Sequence, residues 1–104
     1  MTGPFDVEIR HVPDRGRYEA VAPGTDDVGA VVGFLRYDRH DRTVTITNTV
    51  VLPEFRGHGV ADALTHRAVD DARAEGSSVR PECWYVEQWI HRRPEYHDVL
   101  ATTP

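Results

Sequence analysis

The segment Leu52-Pro53-Glu54-Phe55-Arg56-Gly57-His58-Gly59-Val60-Ala61 holds the spacing most able to do chemistry. Two glycines one residue apart let a backbone curl tightly with its N–H groups turned outward. A helical pattern begins directly after them, so the positive end of a helix dipole adds to those N–H groups and makes an anion site suited to phosphate. Arg56 places a full positive charge at its lip. The plain alternative is a structural turn beside a solvated arginine. The loop lacks the Gly-Lys-Ser/Thr of a Walker A motif and the third glycine of Gly-x-Gly-x-x-Gly. A second reactive candidate is Cys83, where a strand hands over to a helix. There the helix dipole favours a nucleophilic thiolate, while neighbouring Glu82 opposes it. A lone cysteine also serves as a small buried hydrophobe. Asn48 draws notice because Val44, Ile46, Asn48 and Val50 alternate onto one face of a strand, which puts an amide in an apolar stripe where it must find partners. Cys83, His91 and His97 do not have a zinc-ligand spacing, and no metal is expected.

Elements of two kinds must position these groups. Residues 5–12 alternate apolar and polar side chains, the pattern of a half-buried strand, and Pro13-Asp14-Arg15-Gly16 is turn chemistry. A second strand over 17–21 ends at Ala22-Pro23-Gly24. A longer apolar strand over 28–37 carries Gly29 and Gly33 and is a candidate for a bulge. Asp38-Arg39-His40-Asp41 is expected to turn the chain into a β-branched fourth strand over 42–52. The period then changes: apolar residues at 60, 61, 64, 68, 69 and 72 follow one helical face to Gly76. A short fifth strand over 77–80 ends at Pro81, Trp84 to Ile90 suits a short helix, and Pro94 opens another reaching Leu100. Trp84, Trp89 and Tyr96 read most simply as core, or else as exposed anchors of an interaction module. The order predicts a mixed α+β layer, not a doubly wound nucleotide fold.

Composition bounds the rest. The 104 residues suit one domain with a genuine core. Twelve basic residues, all arginine, face seventeen acidic ones for a net charge of −5. That balance excludes a broad phosphate-tracking surface, so no nucleic acid partner is expected. Having no lysine, the chain offers no Schiff-base or ATP-clamping amine. The single Cys83 permits no intrachain disulfide and fits a reducing compartment. No apolar run nears the ~20 residues of a membrane span, and no signal peptide opens the chain; a soluble cytoplasmic protein is expected. Acidic positions such as Asp14, Asp26, Asp27, Asp70 and Asp71 would favour a cationic acceptor.

Arg56-Gly57-His58-Gly59-Val60-Ala61 resembles the Arg/Gln-x-x-Gly-x-Gly/Ala signature of the GCN5-related N-acetyltransferases. Thr49, the Pro81-x-Cys83-x-Tyr85-Val86 run and His91-x-x-Pro94-Glu95-Tyr96 resemble the small single-domain YjdJ-type branch of that superfamily. The resemblance implies an acyl-CoA N-acyltransferase fold: a mostly antiparallel sheet, the main helix after strand four, and a parallel strand five splayed from strand four to admit the cofactor. It implies acetyl-CoA as co-substrate, with Val50 and Val51 along its pantetheine arm and Arg56, Gly57, His58, Gly59, Val60 and Ala61 at its pyrophosphate. Arg92 and Arg93 either complement a helix dipole or reach the 3′-phosphate. Catalytic candidates are Tyr85, protonating the leaving thiolate or else a core aromatic; Cys83, as an acyl acceptor or a structural thiol; and Asn48, standing where the branch often has His and so either orienting substrate without acting as a base or serving as a structural amide bonded to a strand backbone. The implied activity is acetyl transfer to a small-molecule or peptide primary amine by a monomer or weak homodimer. The alternative is a catalytically weak CoA-binding module.

Overall fold

Alternating burial builds a five-stranded sheet in the computed structural model, which describes residues 7–22 and 30–101. The strands are β1 (Glu8–Val12), β2 (Arg17–Ala22), β3 (Ala30–His40), β4 (Thr43–Val51) and β5 (Ser78–Pro81), in the order β1-β2-β3-β4-β5. The first four form an antiparallel meander, and β5 joins β4 in parallel. The expected mixed α+β layer with a parallel fifth strand is therefore found. The expected strand start at residues 5–6, the Pro23-Gly24 turn, Asp26, Asp27, and the beginning of the third strand at 28–29 lie outside the described residues.

Two helices cover one face. The helix α1 (Val60–Glu75) touches all five strands, and α2 (Trp84–His91) packs on β4, β5 and α1. Val60, Leu64, Ala68, Val69 and Ala72 are the buried stripe of α1, as their spacing predicts. Thr65 is buried in the same stripe and returns its hydroxyl to the Ala61 carbonyl at 2.8 Å. The helix ends in a Schellman closure, with Gly76 N–H on the Arg73 carbonyl (3.1 Å) and Ser77 N–H on that of Ala72 (2.8 Å). Leu35, Ile46, Leu64 and Ile90 are fully buried where sheet and helices meet. Each such side chain contributes about 1.5–3 kcal/mol relative to exposure. The other sheet face is polar: Arg17 and Arg36 both lie over the Phe34 ring, at 5.4 and 5.5 Å from its centroid.

Three expectations are corrected. The third strand does not turn at residue 38; it runs to His40 because Asp38, Arg39 and His40 pair with Thr45, Val44 and Thr43, and the turn is left to Asp41, at φ 56, and Arg42. The segment after Pro94 is a 3-10 turn over Pro94–Val99. Trp84 is exposed, whereas Trp89 and Tyr96 are core. The bulge expected near Gly33 exists as a register shift between Ala20 and Val21. Gly33 itself is required, since a Cβ there would meet the Val50 carbonyl oxygen at 2.9 Å.

At the other end of α1, the His11 ring stacks on Tyr18 (4.2 Å) and its Nε2 lies 2.6 Å from the Tyr37 hydroxyl. Tyr18 donates to Asp71, which Arg67 also holds. Burial is the main cause that lowers the His11 pKa below 6.5; Asp71 opposes it and Arg67 assists. Such a ring binds its proton more readily unfolded, so stability falls as pH drops below 6.5, until the native ring protonates as well. Substituting His11→Gln is expected to shrink the loss of urea midpoint between about pH 7.5 and about pH 5.5 relative to the parent protein.

Candidate functional site

Pairing between β4 and β5 runs from Thr43–Ser78 to Ile46–Pro81 and stops there. Proline has no N–H to continue a ladder, and the next two N–H groups, of Glu82 and Cys83, both turn onto the Ile46 carbonyl (2.9 and 3.0 Å). The last four residues of β4 therefore pair only with β3. The chain then swings into α2, which brings Tyr85 across to Val51 and Ala61.

A second irregularity decides which β4 side chains face this opening. Register with β3 shifts by one between Ile46 and Asn48, leaving Thr47 as an extra residue whose hydroxyl bonds the Arg36 carbonyl (3.3 Å). One inserted residue inverts the alternation. Thr49 thus pairs with buried Leu35 and Val51 with Gly33 on the helix-covered face, while Asn48 pairs with Arg36 on the other. The apolar stripe continues from Val44 and Ile46 to Thr49 and Val51, not to Asn48 and Val50. Asn48 accepts from Thr47 Oγ1 at 3.2 Å, and Val50 is exposed. On the site face, Cys83 Sγ–H donates to Thr49 Oγ1 at 3.6 Å.

After a 3-10 turn over Pro53–Phe55, the loop reaches α1 through two left-handed glycines, Gly57 (φ 81) and Gly59 (φ 82). A non-glycine residue in that region costs about 1–2 kcal/mol. A Cβ on either would meet nothing within 4 Å, so both backbones face open space. Gly59 caps α1 without a side-chain hydrogen bond, and the first-turn N–H groups of a helix have no partner within it. Arg56 folds back so that Nε donates to the Val51 carbonyl at 3.2 Å. His58 is exposed in the loop.

Three contiguous depressions follow this path. One, of about 250 Å³, lies over Arg56, Gly57, Gly59, Val60 and Ala61 against Tyr85. It shares Val51, Arg56, Ala61 and Tyr85 with another of about 280 Å³ that reaches Thr49. It shares Asp62 and Tyr85 with a third of about 210 Å³ along α2. The first two have the chemistry for a diphosphate carrying a slender arm: N–H donors and a guanidinium at one end, mostly apolar walls, then the Thr49 and Tyr85 hydroxyls. Of the residues expected at a site, Val50, Val51, Arg56, Gly57, Gly59, Val60, Ala61 and Tyr85 line these two depressions, and Cys83 adjoins them through Thr49. Asn48 lies on the opposite face, and His58 is not among the lining residues.

Asp62, which the sequence reading did not single out, joins the elements of the site. From the first turn of α1 it accepts from Trp89 Nε1–H (2.7 Å) and Arg93 Nη2 (3.1 Å), and the Arg93 guanidinium lies 4.1 Å over the indole centroid. Its carboxylate suits a helix N-terminus. Burial first, then the Asp62 charge, raise the Tyr85 pKa, against the lowering pull of Arg93 and Arg92. The phenol therefore stays protonated throughout the neutral range.

Residues 17–99 match the profile of the GCN5-related N-acetyl-transferase family. The chain belongs to that family. Among curated proteins, Protein NATD1 of Xenopus tropicalis is 32% identical over 53 residues, covering 51% of this chain and 49% of that protein, so the match spans about half the length of this relative. Among solved structures, a GCN5-like protein of Staphylococcus aureus superposes with a TM-score of 0.68 at 21% identity, over 93% of this chain and 90% of its own. The ribosomal-protein-alanine N-acetyltransferase of Brucella melitensis gives 0.54 at 23% identity, over 86% and 64%. At such identities these structures establish the shared GCN5-related fold. The Gly57–Gly59 turn at the start of α1 and the parting of β4 from β5 are how this member of the family builds its opening.

Asp62 gives a test of this arrangement. Asp62→Ala leaves the Trp89 N–H buried without its acceptor and is expected to cost about 1–3 kcal/mol. Asp62→Asn keeps an oxygen for it and should cost less. Urea denaturation of the two variants measures the difference.

Proposed function

We propose that this protein transfers the acetyl group of acetyl-CoA to a primary amine. The carrying observation is the continuous path from the uncapped N-terminus of α1, past Val51, to the Cys83–Thr49–Tyr85 corner. Family membership supplies the reaction class, and the residues fit the co-substrate: open glycine backbones and Arg56 for the pyrophosphate, Val50, Val51 and Ala61 for the pantetheine arm.

In this reading the loop N–H groups and Arg56 hold the diphosphate, and that binding energy orients the thioester at the gap beyond Ile46. Tyr85 acts as general acid. As the amine nitrogen bonds to the acetyl carbon and the carbon–sulfur bond breaks, its O–H gives a proton to the departing thiolate. The amine attacks as the neutral RNH2 and its nitrogen then releases one proton to water, while Tyr85 recovers one from the same solvent, so the products are an acetamide and a free thiol. Cys83 lines the corner as a thiol bonded to Thr49, and transfer to the amine is direct. Asn48, on the outer face of β4, orients an acceptor arriving from that side. The acceptor is a small-molecule or peptide amine.

Thermal unfolding with and without CoA or acetyl-CoA tests the binding. Ligand at 100 times its Kd adds about 2.7 kcal/mol, expected to raise Tm by roughly 10 °C; no shift with either ligand would remove the proposal. A shift without turnover of any amine in a broad panel would leave a CoA-binding module instead. Steady-state rates test the residues. Tyr85→Phe should lower kcat about 10²-fold, whereas Cys83→Ala should stay within about tenfold of the parent. Loss of all turnover in Cys83→Ala would point to an acyl-cysteine. Because the Tyr85 pKa is raised above its ordinary 10, kcat/KM should climb with pH as the amine deprotonates, with no falling limb below pH 10.

A further inference from the structure

Trp84 is 72% exposed, far more than Val31, Val50 or Leu52, the other exposed large apolar side chains among the described residues. A solvated indole at the wall of a depression is a surface awaiting a flat ligand. Gln88 and Arg92 follow it at i+4 and i+8 and line the same depression. Arg92 keeps helical dihedrals at the end of α2 (φ −83, ψ −2), so the stripe is continuous. Side chains on a helix lean toward its N-terminus, which directs the Arg92 guanidinium back toward the indole.

The charges along this stripe are unequally used. Arg93 is held by Asp62, whereas Arg92 has no carboxylate partner among the described residues. The depression opens from the glycine cradle across Asp62 and Tyr85, on the side away from Thr49. A diphosphate seated over Gly57 and Gly59 with its thiol arm toward Thr49 therefore sends its other substituent along α2.

We propose that the Trp84–Gln88–Arg92 stripe binds the 3′-phosphoadenosine end of CoA, with the base stacked on the Trp84 indole, its polar edge toward the Gln88 amide, and the 3′-phosphate paired with Arg92. This rests on the acetyl-CoA reading above. A purine offers the π-face that an exposed indole lacks, and a phosphate monoester suits an arginine without a carboxylate partner.

The test is calorimetric titration of the full chain with CoA, dephospho-CoA and 4′-phosphopantetheine. Trp84→Ala should weaken CoA and dephospho-CoA alike by roughly tenfold and leave 4′-phosphopantetheine unchanged; Trp84→Phe should restore most of the loss. Arg92→Ala should bring CoA down to the affinity of dephospho-CoA and leave the latter unaltered. Equal losses for all three ligands, or none, would overturn the assignment. So would unchanged CoA affinity in Trp84→Ala with a raised KM for the amine, which would give the indole to the acceptor. If the parent protein bound none of the three, the acetyl-CoA reading would fall first. Near-UV circular dichroism of each variant confirms that it is folded.

Discussion

The opening depends on one failure of hydrogen bonding, the end of the β4–β5 ladder at Ile46 and Pro81. β4 has nine residues and β5 only four. A parallel partner of equal length would have sealed the edge of β4 and left no gap for a ligand. Instead a proline ends the strand, and the Ile46 carbonyl takes both following N–H groups. This satisfies both donors at the corner and redirects the chain into α2. The position of Tyr85, the closeness of Cys83 to Thr49 and the route between α1 and β4 all follow from that change of direction.

The Thr47 bulge complements it. By inverting the alternation within a strand whose first half is pinned into the core by Val44 and Ile46, it places Thr49 and Val51 along the gap and turns Asn48 toward the polar face that bears Arg17, Phe34 and Arg36. A regular strand would have carried Asn48 and Val50 inward. The hydroxyl of Thr47 on the Arg36 carbonyl gives the disrupted ladder an acceptor–donor pair of its own.

Charge at the start of α1 is balanced over short distances. The helix terminus and Arg56 make the cradle positive, yet one turn in, Asp62 carries a carboxylate. Arg93 and the Trp89 N–H share that carboxylate, so its charge ties α2 to α1 while the N–H groups ahead of it stay open. The same charge helps hold the Tyr85 phenol protonated. Solved structures near 21–23% identity share this fold.

The sequence by itself determined what local chemistry determines. Strict alternation marked β1, the 3.6-residue spacing from Val60 to Ala72 marked the main helix, and Gly57, Gly59 and Gly76 marked its ends. The glycine turn ahead of α1 was legible for the same reason, since its parts are adjacent in the chain. Tertiary structure alone decided what depends on partners distant in sequence. The Thr47 bulge exists through pairing with Arg36, so the facing of Asn48 and Thr49 was invisible to alternation counted along one strand. Asp62 meets Trp89 and Arg93 across 27 and 31 residues, and no spacing rule reaches that far. Trp84 and Trp89 have the same side chain five positions apart, but only the packing of α2 on α1 and β4 buries one and leaves the other in water.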